Sequence, residues 1–154
     1  MGLSSGEDQT IVFRLTKEIT FCYGHRLLNY EGKCRYLHGH NGRVEITVEG
    51  KELDDRGMLI DFGDIKHAMK RWIDNHLDHR MLLHREDPMI PFLQEQGEPL
   101  FIMSVNPTAE AIARIIFEAA IHFGFPVVKV TLWETLTSNA VYCPRGQNNP
   151  GSEE

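Results

Sequence analysis

The stretch Cys34-Arg35-Tyr36-Leu37-His38-Gly39-His40, continued by Asn41 to Gly50, decides the fold. Val44, Ile46 and Val48 alternate with Arg43, Glu45, Thr47 and Glu49, the pattern of a strand with one buried face. His38 and His40 share the parity of the apolar residues. Side chains two positions apart on an extended chain lie on one side, so an unbroken strand turns both imidazoles inward, where one metal ion can take both. Gly39 has no Cβ to crowd that ion, and Cys34 brings a thiol close by. Taken alone, a His-x-His pair is more often two surface histidines on a turn, so the rest of the chain has to decide.

On the N-terminal side, Ile11, Phe13, Leu15, Ile19 and Phe21 hold one parity and Arg14, Thr16, Glu18 and Thr20 the other. This predicts a long half-buried strand, with Lys17 as a break or bulge on its apolar face, delivering His25 just past its end. Leu27 to Gly32 reads as a loop into Cys34. On the C-terminal side, Lys51 to Gly57 is turn chemistry. Asp61 caps a helix that carries Phe62, Ile65, Met69, Trp72 and Ile73 on one stripe and ends near His76. Residues 84–104, interrupted by Pro88, Pro91, Gly97 and Pro99, read as a long surface loop with at most a helical turn. Asn106-Pro107-Thr108 opens a second helix, buried through Ile112, Ile115, Ile116, Ala119 and Phe123 and ended by Gly124. Val128, Val130 and Leu132 form a third strand, with Glu134 on their parity. Thr135 to Ser138 turns into a fourth strand, Asn139 to Cys143.

The order is therefore ββααββ: an α+β fold in which a four-stranded antiparallel sheet carries both helices on one face. One domain over residues 10–143 is expected, with disordered tails at 1–9 and 144–154. A chain of 154 residues, 42% hydrophobic and 25% charged, has the size and composition for one such core. The 22 acidic against 16 basic residues, with no cluster of Lys or Arg, disfavour a nucleic-acid partner but leave small anionic substrates open. Three cysteines, Cys22, Cys34 and Cys143, without framework spacing and without an apolar leader, point to a reducing cytoplasm. No segment offers the roughly 20 apolar residues a membrane span needs.

Against this frame the polar outliers are His25, Cys34, His38, His40, Asp78, His79 and Glu134. Three histidines that leave a fourth position open are the donor set of catalytic zinc, whereas structural sites are closed and richer in thiolates. A carboxylate such as Glu134 that continues an apolar row is costly to bury without a partner, and so invites a ligand. A rival class is a cupin-like metal protein, since Gly32-x5-His38-x-His40-x4-Glu45 matches the start of that motif. It fails because Glu45 has the opposite parity to His40 and helices stand where further strands are needed.

The joint pattern Phe21-x-x-x-His25, Cys34-x-x-x-His38-Gly39-His40, Ile60-Asp61-Phe62, Leu77-Asp78-His79, Pro107-Thr108-x-Glu110 and Trp133-Glu134 resembles the 6-pyruvoyl- and 6-carboxy-tetrahydropterin synthase family. That resemblance implies the tunnelling fold, Zn2+ held by His25, His38 and His40, and Cys34 as catalytic base. It implies Asp78 with His79 as a proton-transfer pair, and Glu134 as the anchor of a pterin ring beside Thr108 and Glu110. It implies a homohexamer, a dimer of trimers, with sites between subunits, and a pterin triphosphate substrate. Asp78 and His79 are adjacent, and adjacent side chains diverge on a regular strand, so direct orientation of one by the other requires an irregular backbone. Three residues between Cys34 and His38 resemble the bacterial carboxy-forming branch, which makes 6-carboxy-5,6,7,8-tetrahydropterin for queuosine and deazapurine biosynthesis. Five are usual in the pyruvoyl-forming branch. Two features depart from the bacterial pattern: Gly42 stands where an aromatic is common, and the segment from His84 to Ser104 is long. A zinc and pterin binding module without turnover is the remaining alternative.

Overall fold

The computed structural model describes residues 11–145. Expectations for residues 1–9 and 146–154 lie outside that range. The elements run β1 (Phe13–His25), a 3-10 turn (Lys33–Arg35), β2 (His38–Gly50), α1 (Phe62–His76), β3 (Arg80–His84), α2 (Ile90–Glu95), β4 (Leu100–Met103), α3 (Ala109–His122), β5 (Val127–Trp133) and β6 (Asn139–Tyr142). One sheet holds all six strands in the order β4-β3-β1-β2-β5-β6.

Four of these strands, β1, β2, β5 and β6, pair antiparallel, and with α1 and α3 they make the ββααββ frame expected from the hydrophobic periods. Both helices contribute to one core: Ile65, Met69 and Ile73 of α1 and Ile112 and Ile116 of α3 meet Ile19, Val44, Ile46, Val130 and Leu132 of the sheet. The caps follow the sequence. The Asp61 side chain accepts from Gly63 N–H at 2.7 Å and Thr108 Oγ1 from Ala111 N–H at 3.2 Å, each satisfying a donor that the first helical turn leaves free. Gly124 takes φ 85°, the left-handed conformation that ends α3.

Three details differ from expectation. The sheet has six strands because β3 and β4 add in parallel to the free side of β1. They occupy residues 80–83, to which the hydrophobic pattern assigns no element, and part of the segment 84–104 read as a surface loop, and α2 lies between them. At five and four residues these strands are too short to display a period. The adjacent Leu82 and Leu83 are both fully buried, which erases alternation altogether. Lys17 forms no bulge: β1 and β2 pair without a break from Phe13↔Gly50 to His25↔His38, and the irregularity falls instead between Thr47 and Val48, opposite the start of β5. His25 is the last residue of β1 rather than one past it. No described helix is long and apolar enough to cross a membrane.

Candidate active site

The unbroken pairing of β1 with β2 brings His25 directly opposite His38, and Tyr23 opposite His40. All four side chains share the face that continues the apolar rows, at the end of the sheet beyond the helices. Ring centroids of the three histidines lie 4.5 to 5.1 Å apart. Two of the rings are fixed by main-chain carbonyls: His25 Nδ1 is 2.7 Å from Pro107 O, and His38 Nδ1 is 2.7 Å from Tyr36 O. A carbonyl only accepts, so each Nδ1 carries the hydrogen and each Nε2 of the neutral ring presents a lone pair. These two Nε2 atoms nevertheless sit 3.0 Å apart. His40 Nε2 is buried and, among the described residues, has no hydrogen-bond partner. Converging lone pairs and an orphaned buried nitrogen are unfavourable unless a cation lies between them, so the trio fits a metal ion.

Burial favours the ligating form of His25 and His40. Burial lowers the proton affinity of His25, aided by its histidine neighbours and opposed by the Pro107 carbonyl and the Glu134 charge. Burial likewise lowers that of His40, against the pull of Glu134. Glu134, one residue past the end of β5, points its Oε1 into the trio, 3.4 Å from His25 Nε2 and 3.6 Å from His40 Nε2. Tyr23, 3% exposed, donates its hydroxyl to that same oxygen at 3.0 Å. Burial first, then the Glu134 charge and the bond itself, push the Tyr23 hydroxyl far above the usual phenol range, so it stays a donor. Tyr23 escaped the sequence reading; its parity with Phe21 and His25 was the available signal.

Of the residues singled out from sequence, His25, Cys34, Thr108, Glu110 and Glu134 line one cleft of about 330 Å³ together with Leu27, Tyr30 and Ser138. Cys34 reaches it from the 3-10 turn, held where Leu27 N–H donates to Cys34 O at 2.9 Å. Thr108 and Glu110 reach it from the first turn of α3. Asp78 and His79 are elsewhere. His79 takes φ 56°, a left-handed conformation uncommon for a residue with a Cβ, and this bends Nδ1 to 2.8 Å from Asp78 Oδ2. The irregular backbone that direct orientation needs is present. Cys22 N–H donates to Asp78 Oδ1 at 2.9 Å, and His79 N–H to Cys22 O at 2.7 Å. Burial alone would raise the Asp78 carboxyl, but the Cys22 N–H and the imidazole outweigh it and hold it below the ordinary carboxylate range. The cleft containing His79 is lined by Cys22, Gly24, Gly39 and Asn41, whose parity is opposite to the imidazoles, and also by Tyr23, His38 and His40. Within one chain, Cys34 and His79 thus line different clefts.

A family model described as 6-pyruvoyl tetrahydropterin synthase matches residues 14–145. The chain belongs to that family. Among pterin synthase family members, a protein of Rickettsia typhi named 6-carboxy-5,6,7,8-tetrahydropterin synthase is 39% identical over 131 residues, 80% of this chain and 95% of its own. The Haemophilus influenzae protein of the same name is 33% identical over 139 residues, 85% of this chain and 99% of its own. In structure, an uncharacterized protein from Wolinella succinogenes superposes with TM-score 0.74 at 28% identity, covering 88% of this chain and 99% of the other. The 6-pyruvoyl tetrahydropterin synthase of Caenorhabditis elegans superposes with TM-score 0.66 at 22% identity over 88% and 98%, a likeness of fold.

Proposed function

We propose that this pterin synthase family member is a zinc-dependent lyase. It takes 7,8-dihydroneopterin triphosphate and water to 6-carboxy-5,6,7,8-tetrahydropterin, acetaldehyde and triphosphate, within queuosine or deazapurine biosynthesis. The observation that carries the reading is the convergence of His25, His38 and His40 on one point, with two Nδ1 atoms tied to carbonyls, beside a cleft that holds both Cys34 and Glu134. The relatives named for the carboxy product support it, as does the gap of three residues between Cys34 and His38. The name of the matching family model supports the pyruvoyl product as second reading.

Three neutral imidazoles make a tripod suited to zinc with a position left for substrate. Zinc there would draw electron density from the side-chain hydroxyl oxygens and acidify the protons on the carbons that bear them. Glu134 accepts from the amino and ring N–H groups of the pterin, a pair that a carboxylate matches with two charge-assisted bonds. With the ring so held, Cys34 takes a proton from a side-chain carbon as thiolate. His79 carries the second proton, and Asp78, bonded at Nδ1, leaves Nε2 as the working atom. Because His79 and Cys34 line different clefts in one chain, the complete set forms between copies, consistent with a homohexamer of two trimers. Cytoplasmic residence fits the three free cysteines among the described residues.

The reading is tested by incubating zinc-loaded protein with 7,8-dihydroneopterin triphosphate and weighing the products by mass spectrometry. Carboxypterin with acetaldehyde is expected. A pyruvoyl product without acetaldehyde transfers the assignment to the sister reaction, and an unconsumed substrate removes both.

A further inference from the structure

Glu134 stands at an unusual place for a substrate anchor. Donors around a tetrahedral zinc, with bonds of about 2.0–2.2 Å, are roughly 3.3–3.6 Å apart. Glu134 Oε1 lies 3.4 Å from His25 Nε2 and 3.6 Å from His40 Nε2. The carboxylate therefore stands at ligand spacing from two of the three imidazoles, though the group that converges on one point is the three histidines without it. A site closed by three imidazoles and a carboxylate would have lost the open position that catalytic zinc keeps, and Glu134 would have lost its oxygen for the pterin.

The oxygen nearest the imidazoles is the one that Tyr23 holds, through a 3.0 Å hydrogen bond from its hydroxyl. The Tyr23 ring has little freedom to release it. It stacks on Phe21 with centroids 5.4 Å apart, meets His25 edge-on at 5.3 Å and tilts against His40 at 5.7 Å. Across the strand, Gly42 leaves the room this ring needs: a Cβ there would stand 3.1 Å from Tyr23 Cε1 and 3.4 Å from Phe21 Cε1. A carboxylate oxygen has about two lone-pair directions. One taken by the hydroxyl leaves one for the pterin, and moving Oε1 onto the metal would pull it away from the fixed hydroxyl.

We propose that Tyr23 is a positioning residue that keeps Glu134 off the metal, holding Oε1 by its hydroxyl so that the fourth coordination position stays open and the carboxylate stays free for substrate. The inference rests on the metal-binding reading of the histidine trio, and it assigns to Tyr23 a part in setting coordination number.

The test measures coordination directly. Wild type, Tyr23→Phe, Glu134→Gln and the double variant are loaded with cobalt(II), and their visible absorption is recorded; zinc affinity is measured by competition with a chromophoric chelator. Loss of the hydroxyl lets Glu134 ligate, so Tyr23→Phe is expected to change the cobalt spectrum and to tighten zinc by roughly 10-fold or more, opposite in sign to the roughly 10- to 100-fold loss that follows removal of a group supporting a true ligand. Glu134→Gln alone leaves the wild-type spectrum unchanged, and the double variant returns to it. An unaltered spectrum and affinity in Tyr23→Phe overturn the proposal. So does a changed spectrum in Glu134→Gln alone, which would make Glu134 a ligand already and which does not depend on how Tyr23→Phe folds. Wild type that takes up neither metal overturns the proposal together with the metal reading, whereas wild type that binds metal normally while Tyr23→Phe behaves identically overturns the role of Tyr23 only.

Discussion

Replacing His25 by Ala removes the most buried of the three imidazoles, 2% exposed, and with it a donor that β1 delivers from the strand end. In wild-type protein the trio is preformed, so on the proposed reading zinc would bind the folded chain in preference to the unfolded one, and saturation would stabilise by RT ln(1 + [Zn]/Kd). At free zinc of 100 times Kd this is about 2.7 kcal/mol. For a chain of this length each kcal/mol moves Tm by about 2–4 °C, so zinc should raise Tm by about 5–11 °C over protein stripped with chelator. Two ligands remain in His25→Ala, and its Tm should respond to zinc by no more than a degree or two at the same concentration. Differential scanning calorimetry at fixed pH, with and without zinc, reads both. A zinc shift of the same size in His25→Ala would refute the claim that the three Nε2 atoms form the site, as would a wild-type Tm indifferent to zinc.

Asp78→Asn keeps the acceptor for Cys22 N–H but loses the charge that orients the His79 imidazole, so steady-state kinetics should show kcat down by about 10²–10⁴-fold with zinc content unchanged. Asp87→Ala strips the partner from Arg26, whose Nε donates to Asp87 Oδ2 at 2.7 Å while the Asp87 side chain is fully buried. Breaking a buried pair costs about 3–5 kcal/mol, and with Arg26 still 20% exposed the lower end applies, a loss of about 6–12 °C in Tm by thermal denaturation. The pH sign follows from the same carboxyls. Burial alone would raise Asp87, but Arg26 and the Met89 N–H outweigh it and hold it below its ordinary value, as Asp78 is held. The stability they confer is complete above the unfolded carboxylate pKa of about 3.9 and is lost as pH falls through the depressed folded values. Acid titration should therefore destabilise wild type below about pH 4, and less so in Asp87→Ala, which has already lost that term.

What the sequence carried well were long periods and capped helices. Val44, Ile46 and Val48 extend backward through His40 and His38 without a break, so the parity that predicts the core also predicts the inward imidazoles. Asp61 and Thr108 announce their helices because capping is a local interaction. The segment from Arg80 to Met103 was illegible because long-range contacts organise it. Met81 N–H reaches Pro99 O, Arg85 N–H reaches Met103 O, and the Arg26 guanidinium, from just past β1, pins Asp87. No local pattern encodes such pairings. Val127 and Val128 show a smaller version of the same effect. The irregular pairing opposite Thr47 and Val48 buries Val127 rather than the alternating Val128, a shift visible only once the partner strand is known. Gly42, which departs from the residues that carry the resemblance, acquires a reason in the Tyr23 ring that fills the space beside it.

The most direct test of the central claim, that Cys34 acts as base beside a histidine-held zinc, is acetaldehyde release from 7,8-dihydroneopterin triphosphate by wild type and by Cys34→Ala, each assayed for bound zinc. Equal zinc in the two proteins, acetaldehyde in step with substrate loss for wild type, and release slowed by at least about 10²-fold in Cys34→Ala are expected. Wild-type rates in the zinc-loaded Cys34→Ala protein would contradict that claim.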